Sequence, residues 1–331
     1  MNSRAIVKSV IEFNAREKMA IDFREKFGTD MRHVWMQPSP DDRPSKSSND
    51  EWGSVWENIG ISDIGEVKQF PLKDWKEKDK FNIPDITRYD RWRAVESARA
   101  EFEDIFLVGM GVSIYERIHF IRGLENTWAD IHEERDELCW LLDILTDMNI
   151  YCVEKFKDYD LDAIMLLDDW GLQDRLMISP TSFREIWKPR YARIFEAAHK
   201  AGLKTFLHSC GHIVDILDDF IEVGLDVIQM DQQMNMGLDN LSKRFAGKIT
   251  FYSPIDIQAM LPTASEDEIR DYCRKMHNAL WRNGGFMPKN YPDNVGAGFS
   301  LESEDIMCDE FMKIGREMVE QHLLLKVDLS D

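Results

Sequence analysis

The chain has no apolar stretch approaching the roughly 18 residues that a membrane-spanning helix requires, which argues against a transmembrane protein. It has no excess of basic residues either: 41 Lys and Arg face 61 Asp and Glu, a formal net charge of −20. Nucleic acids and anionic membrane surfaces recruit proteins through dense Lys and Arg patches, so neither is an expected partner. Cysteine is scarce and scattered; Cys139, Cys152, Cys210, Cys273 and Cys308 are odd in number and form no C-x-x-C pair. That speaks against a disulfide scaffold and against a zinc ribbon, and it suits a reducing compartment. The first residues, Met1 to Lys8, lack the continuous apolar core of a secretory signal, so a cytoplasmic location is expected. No internal repeat of solenoid length is visible, and no segment is low in complexity.

What is present is the composition of an ordinary globular protein, 44% hydrophobic and 31% charged over 331 residues. That length suffices for one β/α barrel with extensions or for two ordinary domains. Residues 37–50 read as a loop, rich in Pro, Ser and Asp, that covers or borders something. From about residue 86, short apolar runs alternate with amphipathic helical stretches, the pattern of β-α units around a parallel sheet. The expected strands are Ile105–Val108, Ala163–Leu167, Thr205–Leu207, Asp226–Gln229, Ile249–Tyr252 and Gly285–Met287, with helices over Phe183–Ala201 and Ile213–Val223. Gly202 and Gly224 stand where helix C-caps belong. Adding Met19–Phe23 as an early strand brings the count near eight, which predicts a single-domain α/β fold, a (β/α)8 TIM barrel. Residues 1–85 would then be an N-terminal extension with covering loops, and 86–331 the barrel body. A doubly wound open sheet is the alternative, because strand number alone does not show closure.

In such barrels, function sits on the loops after the strand C-termini. Here those positions carry Met110, Asp168-Asp169-Trp170, His208-Ser209-Cys210, Gln229-Met230-Asp231, Ser253 to Asp256, and Lys289-Asn290-Tyr291. His208 and Cys210 are spaced i, i+2, so an extended backbone puts both on one side. Imidazole and thiolate together are a zinc-preferring pair, although a buried His and Cys can equally be structural. Asp168 and Asp169 are candidate ligands or acids, or helix N-caps. Gln229 and Asp231 would orient substrate or support a metal ligand. Asp256 would begin a helix, and His212 would be a solvated or capping residue.

With these motifs placed, the chain resembles the uroporphyrinogen decarboxylase superfamily. The resemblance rests on Asp168-Asp-Trp-Gly171, Ile178 to Arg190, His208-Ser-Cys-Gly211, Glu222 to Gln229, and shorter pieces at Asn2 to Val7, Asp50-Glu-Trp-Gly53 and Gly284-Gly-Phe286. That superfamily contains porphyrinogen decarboxylases and cobalamin-dependent methyltransferases. A decarboxylase grips its polyanionic substrate with an arginine-rich N-terminal segment, whereas Arg16 to Arg24 here contains Asp22 and no guanidinium pair. The methyltransferase branch is the closer resemblance, since its members hold zinc with a His-x-Cys pair, matched by His208 and Cys210. Methylcorrinoid:thiol methyltransferases add a cysteine after the last strand. This chain has Pro288-Lys-Asn-Tyr-Pro292 there, and Cys308 lies in a helical stretch.

The resemblance therefore implies a methyltransferase, the methyl-abstracting component of an O-demethylase system. It would take the methyl group of a methoxylated aromatic ether to Co(I) cobalamin on a separate corrinoid protein. Zinc, or an acid, would activate the ether oxygen. Asp168, Asp169, Lys289 and Tyr291 are the candidate catalytic groups, the last two as donors to a phenolate leaving group. Trp52, Trp56 and Trp170, together with Met110, would wall a flat substrate, while each indole has an alternative place in the core. Methylcorrinoid:thiol transfer, a decarboxylase-like activity and a non-catalytic docking module for a corrinoid protein are the alternatives.

Overall fold

The computed structural model describes residues 1–15, 18–44, 46–58 and 65–328, with side chains to residue 324. Arg16, which belongs to the N-terminal segment considered above, and Ser45 of the covering loop lie outside the described residues. Seven strands form one parallel sheet: β1 (Met31–Val34), β5 (Phe106–Met110), β6 (Ala163–Leu167), β7 (Lys204–His208), β8 (Val227–Gln229), β9 (Thr250–Ser253) and β10 (Phe286–Pro288), adjacent in that order. The three intervening strands, β2 (Ser48–Asn49), β3 (Val55–Glu57) and β4 (Glu66–Gln69), make a separate antiparallel sheet inside the covering region. The fold is an α/β, TIM-barrel-like single domain with helices between its strands. No helix among the described residues is long and apolar enough to cross a membrane.

Six of the seven barrel strands lie within one or two residues of the runs expected from the sequence. The seventh does not, because Met19–Phe23 is not a strand. Ile21 and Asp22 instead bridge the gap between β10 and β1. Asp22 N–H donates to the Pro288 carbonyl at 3.0 Å and Asn290 N–H to the Asp22 carbonyl at 3.0 Å, while Asp30 N–H donates to the Ile21 carbonyl at 2.8 Å. These single bridges stand where an eighth strand would pair, and the first true strand, Met31–Val34, starts inside the region expected to be extension.

Side chains alternate across each strand as pleating requires. Phe106, Val108 and Met110 of β5 turn inward with Ala163, Met165, Phe206, Val227, Tyr252 and Met287, forming one buried cluster. Leu107, Ile164, Leu207 and Ile228 turn outward into a second cluster shared with the helices. The N-terminal helix Ser3–Ile11, capped by the Asn2 side chain on Ala5 N–H, plugs the floor: Ile6, Val7, Val10 and Ile11 belong to the inner cluster. The helix expected over 183–201 is broken in two, a π-helical turn at Phe183–Trp187 followed by a regular helix at Lys188–Lys200. Pro189 has no N–H to donate one turn back, which accounts for the change of winding. With the floor sealed and the helices outside, the strand C-termini at the other end remain as the mouth.

Candidate metal centre at the barrel mouth

Asp169 converges at the mouth with His208 and Cys210, about forty residues further along the chain. Ligand atoms of Asp169, His208 and Cys210 all lie within 4.8 Å of one another. His208 Nε2 is 3.2 Å from Asp169 Oδ1 and 3.5 Å from Cys210 Sγ. Two glycines make the approach possible. The loops after β6 and β7 cross in direct backbone contact, with Gly171 N–H donating to the Cys210 carbonyl at 3.2 Å and His212 N–H to the Leu172 carbonyl at 2.7 Å. A Cβ on Gly171 would meet His212 N at 2.3 Å, and one on Gly211, whose φ is +79°, would meet the Gly171 carbonyl oxygen at 2.2 Å. No side chain fits there. The crossing lets Asp169 Oδ1 accept the Cys210 N–H at 2.7 Å.

The imidazole is oriented from behind. Gln229 Nε2 donates to Asp231 Oδ1 at 2.7 Å, and only the NH2 end of the amide can do so. The Gln229 Oε1 is thereby turned to His208 Nδ1, its hydrogen-bond partner. Nδ1 must carry the proton, which leaves Nε2 facing Asp169 and Cys210. Without a cation the three groups perturb each other. Burial pushes the Cys210 thiol up to about 11, reinforced by the Asp169 charge. Burial opposes the charged form of His208, yet Cys210 and Asp169 outweigh it and hold the imidazolium well above its ordinary value. The three atoms thus call for positive charge among them, supplied by a proton or by a metal ion.

A metal ion fits this donor set. Bond lengths near 2.0–2.3 Å place tetrahedral ligand atoms roughly 3.3–3.8 Å apart, close to the 3.2 and 3.5 Å measured here. Three protein donors leave one position open, and an Nδ1 hydrogen bond of the Gln229 kind usually accompanies a metal-binding histidine.

Lys289 and Tyr291 border the same centre. Lys289 Nζ lies 3.8 Å from Asp231 Oδ1 and over the rings of Tyr252 and Tyr291, at 5.6 and 5.7 Å. The Tyr291 hydroxyl is pushed upward by burial and by the charges of Asp231 and Cys210. Gln229 and Asp231 are committed to each other and to His208, so they support a ligand atom rather than present a free surface to substrate.

Asp168 has a different task from its neighbour. Fully buried, it accepts N–H groups from Ile114, Tyr115 and Glu116 at 2.8–3.1 Å and the Tyr191 hydroxyl at 2.6 Å. It caps the helix Glu116–Arg122 and stands outside the metal triad. The three tryptophans expected to wall a substrate are core residues. Trp52 donates to the Pro40 carbonyl and stacks on Phe81. Trp56 donates to Asp50 and packs edge-on against Phe120. Trp170 stacks on Tyr115 at 3.8 Å and donates to the Tyr191 hydroxyl. Each is at most 1% exposed, which leaves no face for a ligand. Cys308 is buried in the C-terminal helix, and Asp256 caps the turn that follows it through Gln258 and Ala259 N–H.

Met110 lines a cavity of about 340 Å³ at the mouth, with Leu167, Arg43 and Trp35. Arg43, in its wall, and Glu116, the partner behind Arg43, were not anticipated. Arg43 reaches from the covering loop to Glu116 at 3.0 Å, Ser113 at 3.1 Å and the Leu167 carbonyl at 3.3 Å. Glu116, pushed up to about 7 by burial against the pull of Arg43, lies in the field of Asp169. A signal existed in the loop, where Arg43 is the one arginine amid Pro, Ser and Asp, but nothing in the sequence says that it folds inward.

A parallel barrel with an Asp/His/Cys triad at the C-terminal ends of its strands defines the class, a β/α barrel with a candidate metal centre in the position where such barrels carry function. The family follows from comparison: the model of the uroporphyrinogen decarboxylase (URO-D) family matches residues 62–318, and the chain belongs to that family. Among solved structures, a methyltransferase from Methanosarcina mazei is 15% identical over 94% of this chain and 99% of its own, with a TM-score of 0.67, and shares the fold. A B12-independent methionine synthase from Shewanella sp. W3-18-1 is 12% identical over 70% of this chain and 67% of its own, with a TM-score of 0.47. A comparison with curated proteins returned no match.

Proposed function

We propose that the chain is a corrinoid-dependent methyltransferase that removes the methyl group of a methoxylated aromatic ether. The observation that carries this reading is the convergence of Asp169, His208 and Cys210, with ligand atoms within 4.8 Å of one another, inside the URO-D family. The triad would hold zinc, whose Lewis acidity, when bound, polarises an ether oxygen. The likeness to the Methanosarcina mazei methyltransferase supports methyl transfer as the reaction class.

The residues around the triad suit an ether donor better than a thiol acceptor. Breaking the methyl C–O bond leaves the bonding pair on oxygen while the carbon bonds to Co(I) of a corrinoid carried by a partner protein, and the aryl oxide then takes a proton from solvent. Developing negative charge on that oxygen is met by the Lys289 ammonium and the Tyr291 hydroxyl. A second sulfur donor is missing from the place where the thiol branch has one, since Lys289 follows the last strand and Cys308 is buried in a helix. Against the decarboxylase alternative, Arg24, the one arginine of the N-terminal segment among the described residues, is already paired with Glu304 at 3.1 Å and with Asp305.

The test is to mix zinc-loaded protein with cob(I)alamin and 2-methoxyphenol and follow methylcobalamin by its absorbance. Methylcobalamin formed from the ether supports the reading. Methyl transfer from methylcobalamin to thiols, with none from ethers, would exchange it for the thiol reaction.

The support of His208 makes a separate prediction. Gln229→Leu keeps the volume of the side chain and removes the acceptor behind Nδ1. Zinc affinity, measured by competition with a chelator, is expected to fall about 10–100-fold. An unchanged affinity would show that the amide is not what orients the ring.

A further inference from the structure

We infer that Trp35, outside every motif considered above, is the stacking platform for the flat methyl donor. This inference rests on the proposed function and names the part of the mouth that holds the substrate ring. Along β1 the inward positions are Met31 and His33, and the next in that alternation is Trp35. The His33 ring lies stacked 6.3 Å from Tyr252, and Trp35 follows 6.0 Å from His33, so an aromatic ladder climbs from the barrel interior to the mouth. Its lower rungs are occupied by packing. Trp35 is 40% exposed, in contrast to Trp52, Trp56 and Trp170 at 0–1%.

Two cavities open at the mouth beside β1, one of about 340 Å³ and one of about 560 Å³, and Trp35 borders both. The smaller is floored by Met110 and Leu167, the uppermost inward residues of β5 and β6, with Pro38 on its rim. An aromatic ring between Trp35 and this thioether-and-leucine floor has apolar contacts on both faces. Leu167 is paired in register with His208, so the ring edge lies one strand from the metal triad.

The same cavity selects on charge. Arg43 is the one cation among its described lining residues, and its guanidinium is engaged by Glu116, Ser113 and the Leu167 carbonyl, while Asp41 and Asp42 line the same wall. A ring carrying hydroxyl or ether substituents suits this end, and a ring carboxylate does not.

The experiment is calorimetric titration of the full-length, zinc-loaded protein with 2-methoxyphenol and with 4-methoxybenzoate, in the wild type, Trp35→Ala and Trp35→Phe. Because the indole is exposed, both variants are expected to melt with the wild type. Trp35→Ala should weaken 2-methoxyphenol about tenfold or more, Trp35→Phe by less than about threefold, and the wild type should bind 4-methoxybenzoate at least about tenfold more weakly than the neutral ring. Wild-type affinity in Trp35→Ala would overturn the stacking role and leave the proposed function standing. Equal affinity for the anionic ring would overturn the charge selection. A wild type that binds no methoxyarene at all would overturn the substrate class proposed above, and the platform with it.

Discussion

Cys210→Ala protein is expected to fold normally, to retain less than about a tenth of the wild-type zinc after dialysis, and to lose methyl transfer by about a thousandfold. The first part follows from location, since Cys210 sits at the partly exposed mouth and its thiol packs against no core cluster. The second follows from counting donors. Catalytic zinc sites use three protein ligands, and a pair alone holds the ion weakly. Asp169 and His208 would remain, 3.2 Å apart but without sulfur. The third follows from what the ion is required to do. Stabilising charge on a leaving oxygen is worth several kcal/mol, and each 1.36 kcal/mol is a factor of ten in rate. His208→Ala should match it, with the Gln229 carbonyl also left without its donor. Elemental analysis of the three purified proteins, alongside the methylcobalamin assay, checks all of this. One zinc per chain surviving in both variants would remove the triad as the metal site.

Much of the barrel is legible from the chain because buried parallel strands are short apolar runs and the helices between them repeat near 3.6 residues. Ala163–Leu167 and Lys204–His208 stand out for that reason. Met31–Val34 is hidden because two of its four residues are Arg32 and His33, and only closure of the ring turns His33 inward against Tyr252. Met19–Phe23 misleads in the opposite sense, being apolar enough for a strand yet able to make only single bridges on either side of Asp22. The metal triad could be half read. The i, i+2 spacing brings His208 and Cys210 together, but choosing Asp169 over Asp168 depends on where the crossed glycine loops point each carboxylate. The tryptophans show the same limit, since an indole that stacks on Tyr115 and one that faces a cavity are written with the same letter.

The adjacent aspartates should separate in the laboratory as sharply as they do in the fold. Asp168→Ala is expected to destabilise the protein by about 4 kcal/mol or more, the second of the two large effects. Four donors converge on that carboxylate, namely the N–H groups of Ile114, Tyr115 and Glu116 and the hydroxyl of Tyr191. Leaving each buried donor unsatisfied costs about 1–3 kcal/mol, and the Tyr115 and Glu116 N–H groups stand at the start of a helix, where no intrahelical carbonyl can take them. Burial pushes this carboxyl up to about 6 while the same four hydrogen bonds pull it down, so the group is held by its partners against its desolvation. Asp168→Asn should not rescue stability, since the amide turns one acceptor into a donor facing donors. Asp169→Ala should behave in reverse. Its carboxylate is about a third exposed, at 32%, and bonds only the Cys210 N–H and His208, so urea unfolding should shift by no more than about 1 kcal/mol while zinc is lost. If Asp168→Ala kept its stability and lost zinc, while Asp169→Ala unfolded, the two roles would have to be exchanged and the mouth rebuilt around the other carboxylate.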